Sequence, residues 1–182
     1  MLGDRARDLP AALLAFHRGE CDAAYIGTVT VRQGNALVRL LCRLGDFPAP
    51  MTKRPMRMSI ACGSKGERWN RDFDGHILSS TMRQVSPIQV AERFGPFEVH
   101  MCPSVMQAGL NMPVTGIRMF GVPLPRRLFR GSGGREAVDK DGQITFHVSS
   151  RVMGLGCVID YNGTLMRASD TMSLRGGAQG DM

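Results

Sequence analysis

The apolar pattern of the chain changes period near Pro55. Before it, helix and strand periods alternate. Asp8-Leu9-Pro10 followed by AALLAFHRG predicts a short helix, because Asp8 can cap, Pro10 suits the first turn and Gly19 suits the stop. YIGTVTVRQG (25–34) is β-branched, alternating and ended by glycine, which predicts a strand. Asn35 then opens a second helix through LVRLLCRL, stopped by Gly45 and Pro48. Its apolar residues Leu37, Val38, Leu40, Leu41 and Leu44 cover more than one stripe, which predicts a buried helix.

After Pro55 the period is that of strands. RMSIACG (57–63), GERWNRDF (66–73), HILSSTMRQV (76–85), PFEVHMCPSVMQ (96–107), VTGIRMFGV (114–122), QITFHVSS (143–150), MGLGCVIDY (153–161) and the following TLMRA read as strands. Turn signals separate them: Gly63-Ser64-Lys65-Gly66, Asp74-Gly75, Asp141-Gly142 and Asn162-Gly163. Residues 123–138 (PLPRRLFRGSGGREAV) read as a Pro/Gly/Arg-rich connection, with GSGGRE a flexible loop. The expected fold is mainly β. It is a curved antiparallel meander of about seven to nine strands closing toward a barrel or sandwich, with two short helices near the N-terminus. An α+β layout is the alternative. Residues 1–168 form one β-rich domain in this reading, and 169–182 a disordered tail.

One hairpin locates candidate chemistry. With Asp74-Gly75 as a two-residue turn, Phe73 faces His76, Arg71 faces Leu78, Trp69 faces Ser80 and Glu67 faces Met82. That face is apolar and aromatic, so it is the inner one, and it carries an arginine in its middle. Glu67 lies roughly 13 Å along the strand from Arg71 and is not an easy partner. An inward arginine needs an acid from another strand or an anionic ligand, because an unpaired buried charge is very costly. Glu92, Glu98, Glu136 and Asp160 are the acids that could serve.

Composition narrows the function classes. At 182 residues, 43% hydrophobic and 21% charged, the chain reads as an ordinary globular protein. No apolar run reaches the roughly 20 residues of a membrane span, and the N-terminus lacks a signal peptide's form. The net charge of +7 could suit a nucleic-acid binder. The arginines are spread along the chain, however, with one denser cluster at 126–135 and no recognition motif, so nucleic acid is disfavoured. Five scattered cysteines without CxxC spacing predict buried free thiols rather than a zinc site or disulfide frame. Together these point to the cytoplasm.

No phosphate loop, GxSxG elbow or HExxH motif is present, and His17, His76, His100 and His147 lack ligand spacing. No metal and no cofactor are implied. Of the thirteen methionines, most lie in or beside strands. They read as core filling first and as an adaptable cavity lining second.

The order of motifs E-R-W-N-R-D-F-D-G, Ser79-Ser80, A-E-R-F-G-P-F, G-V-P-L-P, Glu136, D-G-Q-I-T-F and Y-N-G-T-L resembles the bacterial family catalogued as domain of unknown function 4166 (DUF4166). The likeness covers about residues 9–168. Thr164 stands where the family's last motif has an aromatic residue. The resemblance singles out Glu67, Trp69, Arg71, Phe73, Ser80, Glu92, Glu136 and Tyr161. Family members fused behind saccharopine-dehydrogenase-like domains imply a possible oxidoreductase partner, an association by analogy.

Three readings of the barrel follow. In the first it binds a small lipophilic or anionic molecule. Arg71 is the anchor, Trp69 and Phe73 the walls, and Ser80, Glu92 and Glu136 lie beside it, with Glu92 or Glu136 fixing Arg71. In the second it is a cofactor-free isomerase or cyclase acting on a lipophilic substrate, with Glu92 or Glu67 as base and Tyr161 or His100 as acid. In the third, Arg71 and Glu92 are a buried strut in a filled core.

Overall fold

The computed structural model describes residues 8–17, 22–64, 66–106 and 109–169. The expected stop at Gly19, Lys65 of the first turn, and the tail from 170 onward lie outside them. The elements are α1 (Ala11–His17), β1 (Ala23–Gln33), α2 (Ala36–Leu44), β2 (Met51–Gly63), β3 (Gly66–Phe73), β4 (His76–Ser86), β5 (Gln89–Phe94), β6 (Phe97–Met101), β7 (Ser104–Met106), β8 (Gly109–Met119), β9 (Val122–Pro123), β10 (Gly133–Val138), β11 (Ile144–Val152) and β12 (Gly156–Arg167). A 3-10 turn spans Arg126–Phe129.

Ten of the described strands form one antiparallel barrel in the order β10-β11-β12-β1-β2-β3-β4-β5-β6-β8, closed by pairing of β8 with β10. Closure removes the two sheet edges that an open meander would leave unpaired. The Asp74-Gly75 turn has φ of 53° and 99° and sets the expected register, with Arg71 opposite Leu78 and Trp69 opposite Ser80. Trp69, Arg71, Phe73, Leu78, Ser80 and Met82 are all buried, so this face is the barrel's interior.

Several expectations are corrected. Residues 133–138 are no flexible loop: they are β10, the strand that closes the barrel between β11 and β8. Its glycines mark close approach. A Cβ at Gly133 would lie 2.9 Å from the Met112 carbonyl oxygen, and one at the facing Gly109 would lie 2.1 Å from that of Glu136. Asn162-Gly163 is no turn either, because β12 runs straight through it. Gly163 is required because a Cβ there would meet the Thr28 carbonyl oxygen at 2.0 Å and the Phe146 ring at 2.8 Å. The segment around Glu92, unassigned by the pattern, is β5. α2 is capped as expected by Asn35, whose side chain accepts from the Val38 N–H at 3.1 Å. The helix is not buried all round, however: Val38 and Cys42 are buried, whereas Leu37, Leu40 and Leu41 are exposed. Cys42, Cys102 and Cys157 are free thiols, but Cys62 is disulfide-bonded, against the expectation of free thiols throughout.

α1 plugs one end of the barrel. Leu13 and Phe16 are buried, and the Phe16 ring meets Tyr25 and Trp69 edge-on at 4.9 and 5.4 Å. Among the described residues, no helix is long and apolar enough to cross a membrane.

Candidate functional site

The acid that meets Arg71 is Glu92. Arg71 Nη1 lies 2.8 Å from Glu92 Oε1 and donates to Ser80 Oγ at 2.9 Å, while the Ser80 hydroxyl donates to Glu92 Oε1 at 2.7 Å. β3, β4 and β5 each supply one member, and adjacent antiparallel pairing brings them together on the inner face. The guanidinium carbon sits 5.2 Å from the Trp69 ring centroid, a cation–π contact that covers the apolar side of the charge. Burial opposes the charge on Arg71, but the neighbouring Glu92, with weaker help from Tyr161 and Glu136, holds its pKa above the ordinary value.

A second buried contact between titratable groups lies at the plug. The Nε2 of His17 contacts Oε2 of Glu136 in a short hydrogen bond that ties α1 to β10. Burial pulls the His17 pKa down, but the charge of Glu136, its hydrogen bond, and the more distant Glu67 outweigh this and hold it above the usual imidazole value. Glu67 itself accepts from Trp69 Nε1 at 3.0 Å.

Tyr161, on β12, completes the polar set. Its ring meets Phe73 edge-on at 5.7 Å. Burial pushes its phenol up to about 12, with Arg71 pulling it down and Glu92 and Glu136 adding to the rise. At neutral pH the phenol therefore keeps its proton. Among the described residues, the buried side-chain polar atom without a hydrogen-bond partner is Ser149 Oγ, on β11.

Arg71, Glu92, Trp69, His17, Glu136 and Tyr161 line a cavity of about 150 Å³ inside the barrel, whose other walls are chiefly methionine, aromatic and aliphatic side chains; Ser80, Glu67 and Phe73 do not reach it. It reaches from Phe16 and His17 at the plug to Phe47 and Phe94 near the far rim. Of the buried methionines, Met56, Met58, Met82, Met101 and Met112 belong to the core and also line this space, so core filling and cavity lining coincide. The volume is below the roughly 300 Å³ at which drug-sized ligand pockets begin. It matches the size of cavity that takes up a benzene-sized molecule, on the order of 150 Å³.

The predicted residues thus fall into groups. Arg71, Ser80 and Glu92 form one contact network, with Trp69 beneath it. Glu136 faces His17, and Tyr161 lies among these charges. Phe73 is buried against Tyr161, and Glu67 turns toward Trp69. His100 is not with them: it bonds Glu98 at 2.8 Å, and both alternate with the inward Val99 and Met101. As an acid for the interior it is misplaced. His147 likewise bonds Asp160, at 2.8 Å, on an exposed site. The residue missed by pattern reading is His17. Its only signal was its position after Phe16 at the end of an apolar helix. The 119 residues that separate it from Glu136 leave no local trace.

The chain matches the family described as Domain of unknown function (DUF4166) over residues 9–165. No curated protein matches it. Among solved structures, that titled "Crystal Structure of Rv2717c from M. tuberculosis" is similar over 87% of this chain and 98% of that chain, with 12% identity and a TM-score of 0.45. The family match spans nearly all of the barrel, from α1 to the last turn of pairing in β12, and the chain belongs to the DUF4166 family.

Proposed function

We propose that the barrel binds a small, mainly apolar molecule carrying one acceptor or anionic group. The observation that carries this reading is Ser149, which lines the cavity and whose Oγ is the buried side-chain polar atom without a hydrogen-bond partner among the described residues. A buried hydroxyl without a partner is costly, and a ligand acceptor would satisfy it. Both contacts of Arg71 use Nη1, so its other donors remain to meet a ligand group. Glu92 fixes the guanidinium in place, and the methionine and aromatic walls receive an apolar body.

The acid/base reading has less support. Glu92 accepts from Arg71 and from Ser80 together, so its Oε1 is already engaged by two donors. Tyr161 can donate but not accept a proton near neutrality.

The test is a titration, followed by NMR, of the full chain with straight-chain carboxylates of increasing length and the matching alcohols. Short carboxylates should bind best, and Ser149→Ala should weaken them roughly tenfold, the size of one buried hydrogen bond. The paired variant Arg71→Met/Glu92→Gln, which leaves no charge unpaired, should remove the preference for carboxylate over alcohol. If neither series binds the wild-type chain, the strut reading replaces this one.

A further inference from the structure

Both rims of the barrel expose apolar side chains, Ile88 and Met106 standing on the one plugged by α1, but they differ in the charge around them. β1, β3, β5, β8 and β11 run parallel to one another, so their C-terminal ends share one rim. That rim carries α2, the turns at Asp74-Gly75, Gly95-Pro96, Phe120-Gly121 and 153–155, and the 3-10 turn Arg126–Phe129. α1 plugs the opposite rim.

Large apolar side chains stand out from this rim on three separate elements. Leu37 and Leu40 of α2 are 55% and 54% exposed, Phe120 is 80%, Val122 63% and Met153 61%. Phe120 is the least expected. It and Gly121 occupy the tip between β8 and β9 with φ of 50° and 80°. Two-residue turns with both φ values positive favour Asn-Gly, and a bulky side chain there is an outlier. Neither backbone preference nor packing accounts for a phenylalanine at this position.

The charge around these side chains is predominantly positive. Arg39 and Arg43 lie on α2, and Arg126, Arg127 and Arg130 on and beside the 3-10 turn, all exposed. The exposed acids on these connections are Asp46 and Asp74, and Asp74 is paired with Arg54. Next to Phe120 an outer groove of about 520 Å³ lies between Arg93 and Arg118. Glu98, also in this groove, is bonded to Arg83 and His100.

From this juxtaposition we infer that the rim docks on an anionic phospholipid bilayer. Phe120, Val122, Met153 and the α2 leucines enter the headgroup–acyl boundary, and the arginines meet lipid phosphates. A nucleic acid would use the arginines but leave the aliphatic and aromatic tips in water. A second copy of the chain, rim to rim, would set like charges against each other. The inference is independent of what the cavity holds.

Flotation of the full chain with vesicles of phosphatidylcholine alone, or mixed with phosphatidylglycerol, tests it. Binding should occur on the mixed vesicles only and weaken with salt. Phe120→Asn is the decisive variant, because asparagine suits the turn better than phenylalanine and the fold cannot be blamed for a loss. It should lower partition roughly tenfold, as expected for removing a buried aromatic side chain. Arg126→Gln/Arg127→Gln/Arg130→Gln should lower it by about fivefold per arginine. Equal binding to neutral vesicles, or unchanged binding by Phe120→Asn, overturns the proposal. So does binding to duplex DNA that exceeds vesicle binding and survives Phe120→Asn.

Discussion

Arg71 and Glu92 meet at 2.8 Å in the barrel interior, with the Ser80 hydroxyl bonded to both. Either group alone would be a buried, uncompensated charge. Glu92→Ala should therefore destabilise the fold by about 3 kcal/mol or more, whereas Arg71→Met/Glu92→Leu should cost less than either single change. Urea denaturation of the three variants measures the coupling. Additive losses would mean that the pair contributes nothing as a pair.

The His17–Glu136 contact carries a pH dependence whose sign is set by the raised His17 pKa. A group that binds its proton more tightly when folded contributes fully below its unfolded value, about 6.5, and loses that contribution as pH rises through the folded one. α1 should therefore be held more firmly at pH 6 than at pH 9. Protection of the amides of residues 11–17, corrected for the base-catalysed intrinsic exchange rate, should fall across that range in the wild type and stay level in His17→Gln.

Tyr161, pushed up to about 12, should titrate well above an ordinary phenol. Its raised value stabilises the fold fully below the ordinary pKa of about 10, and the contribution fades as pH climbs from there toward 12. Absorbance near 295 nm should show a late component that Tyr161→Phe removes.

Gly163→Ala should be among the most damaging small substitutions. Its new Cβ would clash with the Thr28 backbone at 2.0 Å, which no side-chain rotation can relieve. A loss of about 3 kcal/mol, or failure to fold, is expected. Gly142→Ala, where nothing lies within 4 Å, is the control: it should lose only what its φ of 79° costs a side chain. Thermal unfolding distinguishes the two.

What was legible in the chain depended on how local its cause was. The Asp74-Gly75 hairpin states its own register, so the inward position of Arg71 could be derived without any other strand. That an acid must answer it followed from electrostatics, and Glu92 was among those proposed. Three features were misread because one residue type serves two ends. Gly133 and Gly163 look like loop and turn residues, yet each is there because a neighbouring strand passes too close for a side chain. The α2 leucines look like core, yet they stand on an outer rim. His17 and Glu136 are joined only by closure of the barrel.

That last pairing also fixes an order of events. α1 is made before the strands of the barrel, yet its anchor on β10 follows 119 residues later. At translation speeds of roughly 5–20 residues per second, the plug waits on the order of ten seconds for its socket. Barrel closure and the seating of the plug therefore fall together, late in synthesis, because both wait on the same strand.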